Sequence, residues 1–422
     1  MNRKLLLRAG LLLAAVACAV AALAAGGSGK PAEKTEPAGQ AVLAAPLAVR
    51  AEEVPRPSPA AGAATPEPTP QPTPEPTPAA PIRINVRVVG DLMVHEAQQI
   101  SAKTADGYDF SEYFAAIKPE LSCADLTVGN LETPVTGGKP SGYPRFNAPQ
   151  EFLDTLLDAG FDCVSLANNH MLDRGAAGVR ATVKTLEEKG LTFFGASAER
   201  GEPKQRIVDV NGVKVALLGF TEQTNGHKDT DGQIRFLTEK NIQADVEAAR
   251  DAGADVILAF PHWGVEYHEG VHPSQTRWAK KLAAAGVDAI LGSHPHVLEP
   301  IGRVEGKEGK TIPVAYSLGN FISNQQKDPT YTGVILSLTI EKDPNTGKTA
   351  VTAVEYLPTF VYKSSGKAKY RYEVLPLSEA ALEHPPEGMN SSAKRKMNKA
   401  WAYAKKILSG ETAALLSPAL RE

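Results

Sequence analysis

Short apolar runs alternate with amphipathic stretches between residues 82 and 380. The run Ile82–Val89 opens this region, and Gln150–Ala159 then shows the spacing of an amphipathic helix. Short apolar runs bounded by polar turns predict buried strands, whereas apolar residues three and four positions apart predict helices. Near the end, Val334–Ile340 and Ala350–Tyr356 flank a turn that contains glycine and predict an antiparallel hairpin. Alternating strands and helices followed by hairpins predict an α/β fold, with two mixed sheets flanked by helices in one domain over 82–380.

The first 81 residues show no such alternation. A short positive segment, Asn2-Arg3-Lys4, precedes an apolar stretch that runs to Ala25, an order that is typical of a targeting segment. We expect 1–25 to be either a cleaved signal peptide or an uncleaved membrane anchor, and both alternatives place the rest of the chain outside the cytoplasm. Residues 26–81 include a stretch with proline at every second position. Such a stretch favours polyproline II, so a Pro-rich disordered linker is expected there.

The composition adds two expectations. The chain has 45 Lys and Arg against 48 Asp and Glu, and its formal net charge is -3. With no overall basic field, we expect no nucleic-acid partner. The predicted domain contains two cysteines, Cys123 and Cys163, in apolar stretches, and buried free thiols are favoured there over a disulfide.

Polar side chains follow six of the predicted strands at the point where each apolar run stops. Binding sites of open α/β sheets form beyond the carboxyl ends of the strands, so we expect these side chains to converge. Four of the nine histidines in the chain are among them. The motifs are Gly90-Asp91, Asn130-Leu131-Glu132, Asn168-Asn169-His170 with Asp173, His262-Trp263 with Glu266, His294-Pro295-His296, and Gly319-Asn320.

The residue types in these motifs predict a metal site. Carboxylate, imidazole and amide oxygen together suit Mn, Fe or Zn, and none of the motifs contains a cysteine. We therefore expect one or two divalent ions. Two ions about 3.5–4 Å apart need a bridging carboxylate and several imidazoles, and they lower the pKa of bound water and hold a phosphoryl or acyl oxygen.

The same motifs, in this order, resemble the CapA family of poly-γ-glutamate capsule biosynthesis proteins over roughly residues 84–325. That family is similar to the calcineurin-like metallophosphatases, which implies a metallophosphatase-like two-sheet (αββα) sandwich. It also implies anchorage at the bacterial surface and a role in capsule biosynthesis. The partners implied are the membrane, through the N-terminal segment, together with the anionic polymer poly-γ-glutamate and synthase subunits.

The resemblance implies roles for individual residues. His170 is expected to donate a proton or contact a phosphoryl oxygen, and Glu132 stands near the position of a bridging aspartate. The metallophosphatase pattern has Asp-x-His after the first strand, but Met93 occupies the histidine position here. Either His95 substitutes for that histidine or the site holds a single metal. The expected metal ligands are Asp91, Glu132, Asn169, His262, His294 and His296.

Other motif residues leave alternatives open. Asp173 either assists His170 in catalysis, or pairs with Arg174 or caps the following helix. Glu266 either orients His262 or acts on the substrate.

The remaining polar residues of the motifs are expected beside the site. Trp263 belongs either to the core or to a platform for the substrate, and Asn320 is expected to serve the site because a strand end is unusual for a core asparagine. Asn130 and Asn168 are expected to contact the substrate or to support the ligands.

Residues 381–422 are expected to form a C-terminal helical tail. Within Ser391–Leu408, lysines interleave with Met397 and Trp401 at helical spacing. The stretch is either a helix that caps the domain, or a basic amphipathic helix that contacts anionic lipid or polymer.

Two classes of function therefore remain open. One is a metal-dependent hydrolase or transferase that acts on a phosphoester or an amide-linked polymer. The other is a non-catalytic subunit for synthesis, export or anchoring of a surface polymer.

Overall fold

The computed structural model describes residues 79–365, 370–408 and 413–414. The expected targeting segment and nearly all of the expected linker lie outside these residues, so both stay predictions. Within the part of the chain that is described, no helix combines the length and the apolar character that a membrane span requires.

Strands and helices alternate through the first part of the domain, and strands dominate the last part. The strands are β1 (Ile82–Leu92), β2 (Leu126–Leu131), β3 (Cys163–Ser165), β4 (Thr192–Phe194), β5 (Arg206–Val210), β6 (Val213–Thr221), β7 (Val256–His262), β8 (Ala289–Leu291), β9 (Ile301–Glu305), β10 (Thr311–Ala315), β11 (Asn320–Ile322), β12 (Thr332–Lys342), β13 (Thr349–Ser365), β14 (Tyr370–Pro376) and β15 (Ala413–Ala414). The helices are α1 (Glu96–Ala102), α2 (Lys118–Ser122), α3 (Glu151–Ala159), α4 (Gly175–Lys189), α5 (Glu239–Asp251), α6 (Pro273–Ala285), α7 (Glu379–Glu383) and α8 (Ser391–Leu408).

These strands form two sheets. The first has the order β14-β13-β12-β1-β2-β3-β4, with β11 beside β1 and β15 beside β13. In it β1, β2, β3 and β4 are parallel, whereas β12 is antiparallel to β1. The second sheet has the order β5-β6-β7-β8-β10-β9, and its central strands β6, β7, β8 and β10 are parallel. The carboxyl ends of the parallel strands in each sheet therefore meet at a common edge.

The two sheets pack face to face with helices outside. Successive side chains of a strand point to opposite faces, and β6 shows the consequence. Val215 and Leu217 join residues of β1 and β2 in a core between the sheets, while Ala216 and Leu218 face a core shared with α5 and α6. A third core lies between the first sheet and helices α3 and α4. This layering confirms the predicted two-sheet α/β sandwich.

Helix α8 packs on the domain. Its buried Met397 and Ala400 join the outer core of the first sheet, and Ala404 and Leu408 join the core between the sheets. The apolar face of the helix thus caps the domain, as the first of the two alternatives has it. Most of its lysines remain exposed, so a contact with anionic lipid or polymer stays a prediction.

The two cysteines of the domain are both free, but they differ in burial. Cys163 is buried in β3, where desolvation raises the pKa of its thiol to about 12. Cys123 is exposed. The expectation of a buried thiol is wrong at Cys123, because this residue follows the last turn of the short helix α2 and its side chain does not enter the core.

Candidate metal centre

Strand register brings the polar motifs together. In β1, Asp91 lies beside Asn130 of β2 on one side and beside Asn320 of β11 on the other. In the second sheet, His262 at the end of β7 pairs with Ser293, the residue before His294. The motifs that follow β1, β2, β7 and β8 therefore lie next to one another, as parallel strands require.

Two groups of possible ligands share one carboxylate. The first consists of Glu132, His262 and His294, and the second of Asp91, Glu132 and His296. Within each group the ligand atoms all lie within 4.8 Å of one another, and all five residues are buried. Glu132 belongs to both groups, which is the arrangement that a carboxylate bridging two ions requires.

Glu132 is the most informative residue of the site. Its Oε1 atom has no hydrogen-bond partner among the described residues, and it lies 3.7 Å from His262 Nε2 and 3.6 Å from His296 Nε2. Burial, and then the charge of Asp91, raises the pKa of Glu132 well above its usual range. A buried carboxylate without a counter-charge is costly, and a divalent cation would supply that charge. The residues present therefore fit a divalent metal.

The histidines are electrostatically suited to ligation. Burial, and then the neighbouring His296, lowers the pKa of His294 to about 3, and Nδ1 of His294 has no partner in the described structure. Burial, and then His294, also lowers the pKa of His262 well below its usual range. Neutral imidazole is the form that binds metals. An unpartnered ring nitrogen in a buried cluster is consistent with a ligand position.

Two of the rings are fixed by a second contact. Nδ1 of His262 lies 3.0 Å from the hydroxyl of Ser293, which leaves Nε2 directed at Asn169 Oδ1, 3.1 Å away, and at Glu132. Nδ1 of His296 lies 3.0 Å from Asp91 Oδ2. Contacts of this kind set the orientation of ligating histidines. Asn169 therefore lies beside Nε2 of His262, and its role as a metal ligand stays a prediction.

Asparagines hold the two carboxylates in place. Nδ2 of Asn130 donates to Asp91 Oδ1 at 2.8 Å and to Glu132 Oε2 at 3.2 Å. Asn168 in turn donates to the carbonyl oxygen of Leu131 at 2.8 Å. Asn320 donates to the carbonyl oxygen of Thr330, and its own Oδ1 is buried without a partner in the described structure. Asn130 thus contacts both carboxylates directly, whereas support of the ligands or contact with a substrate by Asn168 and Asn320 stays a prediction.

His170 belongs to neither ligand group, although its charge acts on His262 and His294, and it is held by Asp173. Its Nδ1 is 3.0 Å from Asp173 Oδ2, which also accepts a hydrogen bond from the backbone N–H of Phe146 at 2.7 Å. The two alternatives for Asp173, pairing with Arg174 and capping the next helix, are wrong. Arg174 instead donates to the carbonyl oxygens of Phe146 and Arg145, and it occupies the N-cap position itself.

Two further alternatives are corrected by the structure. Trp263 is fully buried, stacks near Tyr316 and donates to its carbonyl oxygen at 2.9 Å, so Trp263 belongs to the core and is no substrate platform. Glu266 is exposed and does not orient His262, because the ring nitrogens of His262 face Asn130, Ser293 and Asn169. Its contact with a substrate stays a prediction.

His95 does not replace the histidine that is missing after the first strand. It lies in neither ligand group, and its Nδ1 accepts a hydrogen bond from the backbone N–H of Asn324 at 3.3 Å. Met93, at the histidine position, is buried in the apolar interior. Ligation at the Asp91 side of the site therefore rests on Asp91, Glu132 and His296.

Three residues near the site were not predicted from the sequence. Ser293 contacts His262, Oδ1 of Asn225 accepts a hydrogen bond from Nδ2 of Asn169 at 3.3 Å, and the ring of Tyr267 lies 5.9 Å from that of His296. Of the six described non-glycine residues with positive φ, four cluster here: Asn225, Tyr267, His294 and His296. Strained backbone of this kind is often held at functional sites. Ser293, which precedes His294, and Tyr267, which follows Glu266, stand inside the sequence motifs, whereas Asn225 carried no signal in the sequence.

Comparison with known proteins gives the following similarities. The model of a family described as bacterial capsule synthesis protein PGA_cap matches residues 85–325, more than half of the chain. The PGA biosynthesis protein CapA of Bacillus subtilis strain 168 is 31% identical over 301 residues, which are 68% of this chain and 76% of that protein. The capsule biosynthesis protein CapA of Bacillus anthracis is 32% identical over 257 residues, 58% of this chain but only 60% of the relative's length.

Among solved structures, a calcineurin-like phosphoesterase from Bacillus subtilis is similar at 15% identity with a TM-score of 0.39. The match covers 78% of this chain and 100% of that one.

Proposed function

The chain belongs to the family of bacterial capsule synthesis proteins, and from that premise we propose that it is a metal-dependent hydrolase acting in capsule biosynthesis. The observation that carries the proposal is the unpartnered Oε1 of Glu132, buried between the Nε2 atoms of His262 and His296. A carboxylate shared by two sets of imidazole ligands is the arrangement that metal-assisted hydrolysis with two ions uses. The substrate class proposed is a phosphoester or an amide-linked polymer.

The names of the relatives support the polymer. Two of them are called capsule biosynthesis and PGA biosynthesis proteins, which favours poly-γ-glutamate as the amide-linked polymer on which this chain acts. Because the chain covers 60% of the first of these relatives, the substrate and the synthase subunits are proposed as partners and do not follow from membership of the family.

The chain's own residues have distinct tasks in this proposal. One ion would be held by Glu132, His262 and His294 with Asn169 beside it, and another by Asp91, Glu132 and His296. A divalent ion there would supply an activated water nucleophile and neutralise charge on a phosphoryl or acyl oxygen.

His170 is the proposed proton donor. Its Nδ1 is held by Asp173 at 3.0 Å, so Nε2 is the ring nitrogen left to deliver a proton to the leaving group. Because His170 lies outside both ligand groups, its proton is not needed for the metal site itself.

A second candidate is a non-catalytic subunit for synthesis, export or anchoring of the polymer. It is favoured by Met93, a buried methionine at the position where the metallophosphatase pattern has histidine. A site that lacks this histidine ligand can bind a metal ion that stabilises the fold without taking part in a reaction.

Metal content and turnover of the full chain separate these candidates. We expect about one or two equivalents of Mn, Fe or Zn per chain, and metal-dependent hydrolysis of bis-p-nitrophenyl phosphate or of poly-γ-glutamate. Chelation should abolish turnover, and added metal should restore it. Glu132→Gln, which keeps the shape but removes the charge of the shared carboxylate, should lose both metal and activity. Full metal occupancy without hydrolysis of any phosphoester or γ-glutamyl amide would instead support the non-catalytic subunit.

We also propose that the domain works outside the cytoplasm, attached to the membrane by residues 1–25 and spaced from it by 26–81. The order of positive residues and apolar stretch supports this location. Fractionation of cells that express the native chain should recover it from the membrane and leave it accessible to added protease. A mature chain free in the medium and beginning near Ala25 would show that the segment is a cleaved signal.

A further inference from the structure

A cavity of about 230 Å³ lies between the end of β13 and the beginning of α8. None of the residues that line it belongs to either ligand group. Two lysines face it, one from the strand and one from the helix. Its lining includes Lys363, Lys396, Gln326, Tyr331, Tyr362 and Asn390.

The two ammonium groups have neutral partners. Nζ of Lys363 donates to Asn324 Oδ1 at 2.8 Å and lies 4.0 Å from the ring centre of Tyr370. Nζ of Lys396 donates to Gln326 Oε1 at 3.1 Å and lies 5.1 Å from the ring centre of Tyr331. An ammonium group has three N–H donors, so each lysine keeps donors for a ligand.

Carboxylates do not neutralise this pair. The described residues that line the cavity include neither Asp nor Glu. Asp328 is electrostatically coupled to Lys396, but its carboxylate lies 2.9 Å from the ammonium of Lys399, with which it forms an ion pair. The lining thus contributes two cations and no carboxylate, while the carboxylate of Asp328 accepts a hydrogen bond from the hydroxyl of Tyr331 and Glu373 acts on Tyr362 from the neighbouring strand.

The electrostatics favour an anion at this point. Both lysines line the same cavity, and burial, followed by the charge of Lys396, lowers the pKa of Lys363. The 18-residue helix α8 also begins at the cavity, and the N-terminus of a helix carries partial positive charge. Side-chain and dipole contributions thus have the same sign.

We propose that this cavity binds an anionic group, a carboxylate or a phosphate, at a site separate from the metal centre. Both groups offer several oxygen acceptors to two ammonium donors, and lysine binds each of them as a point charge. The experiment below distinguishes the two.

A loop connects this site with the metal centre. Gln326 lines the cavity, while the adjacent Gln325 accepts a hydrogen bond from Asn320 at 3.0 Å and donates to the hydroxyl of Tyr267 at 3.3 Å. A ligand bound by the lysines would thus contact Gln326, whose neighbour in the chain, Gln325, contacts side chains at the metal centre. A role for the cavity in holding a second anionic group of one extended substrate rests on the proposed function, whereas anion binding itself does not.

Titration calorimetry on the full chain tests the site with inorganic phosphate and glutarate as probes. Because phosphate could also bind at the metal centre, the chain is first stripped of metal with EDTA, and His294→Ala is titrated in parallel. We expect saturable binding in both, weakened at least about tenfold by Lys363→Met and by Lys396→Met, since hydrogen bonds to charged groups are the stronger ones. Lys363→Arg should retain binding. Tighter binding of phosphate would identify a phosphate ligand, and tighter binding of glutarate a carboxylate.

Lys405→Met is the matched control. It removes one charge from the same helix at a lysine whose ammonium lies over the ring of Trp401, outside the cavity lining. Equal weakening by Lys405→Met and Lys396→Met, or no saturable binding of either probe to a chain that is folded by circular dichroism, would overturn the proposal. Metal content should be the same in all the lysine variants as in the unchanged chain. If the unchanged chain itself held no metal, that result would contradict the proposed hydrolase but would not affect the measurement of anion binding.

Discussion

His294→Ala is expected to lose most of the bound metal and to stay folded. The ring of His294 lies 4.6 Å from that of His262, centre to centre, and its unpartnered nitrogen is buried with Glu132 in one ligand group. Changes to residues that only support a ligand cost about 10–100-fold in metal affinity, so loss of a ligand should cost at least that much. Elemental analysis of the purified variant, beside the thermal unfolding temperature, measures both parts of the expectation.

His268→Ala is the control for this experiment. The residue is exposed, belongs to neither ligand group and contacts only the ring of His272 edge-on among the ring contacts described. Its metal content should equal that of the unchanged chain. If His294→Ala, folded, also retained full occupancy, the metal-site interpretation would have to be abandoned.

The layered fold could be predicted from the sequence because its signals are local. Each apolar run that predicts a strand carries its own burial pattern, and β6 shows both faces in two successive residues, with Ala216 in one core and Leu217 in the other. The meeting of the motifs followed from one general rule, that parallel strands end at the same edge. The structure gives this rule its specific form, with Asp91 between Asn130 and Asn320.

Partners of individual side chains could not be predicted in the same way. Arg174 is adjacent to Asp173, yet the group that fixes Asp173 is the backbone N–H of Phe146, 27 residues away. Glu266 lies four residues after His262, yet the turn between them leaves its carboxylate exposed. Nearness in sequence determines neither the partner of Asp173 nor the orientation of Glu266. The direction of a side chain after the end of a strand depends on which distant loop packs against it.

Residues missed near the site share a second physical reason. Asn225 and Tyr267 lie on loops and take positive φ, which the sequence does not mark, because most loop asparagines and tyrosines have no such constraint. Their position is set by contacts with Asn169 and His296, formed only once both sheets are assembled. Loop residues that complete a site built on strands are therefore the part that needs the structure.

His170→Ala is expected to show the opposite behaviour to His294→Ala. It should keep nearly all of its metal and lose hydrolytic rate by about 10²–10⁴-fold, the usual contribution of a positioned general acid. The reason is geometric, since His170 lies outside both ligand groups while Asp173 fixes its Nδ1 at 3.0 Å. The two measurements are metal content and kcat, the latter on whichever of the two proposed substrates the unchanged chain hydrolyses.

Asp173→Asn sharpens the same test. The variant keeps the shape of the side chain but loses the charge that faces Nδ1, so His170 should remain in place with a less effective proton donor. We expect a fall in kcat with little change in KM, because Asp173 is a positioning residue that does not touch the substrate. His227→Ala is the matched control, since Nε2 of His227 lies 4.0 Å from the other oxygen of Asp173 and the ring is partly exposed. Metal loss in His170→Ala as large as in His294→Ala would make His170 a ligand. An undiminished hydrolytic rate in both His170→Ala and Asp173→Asn would show that His170 takes no part in the reaction.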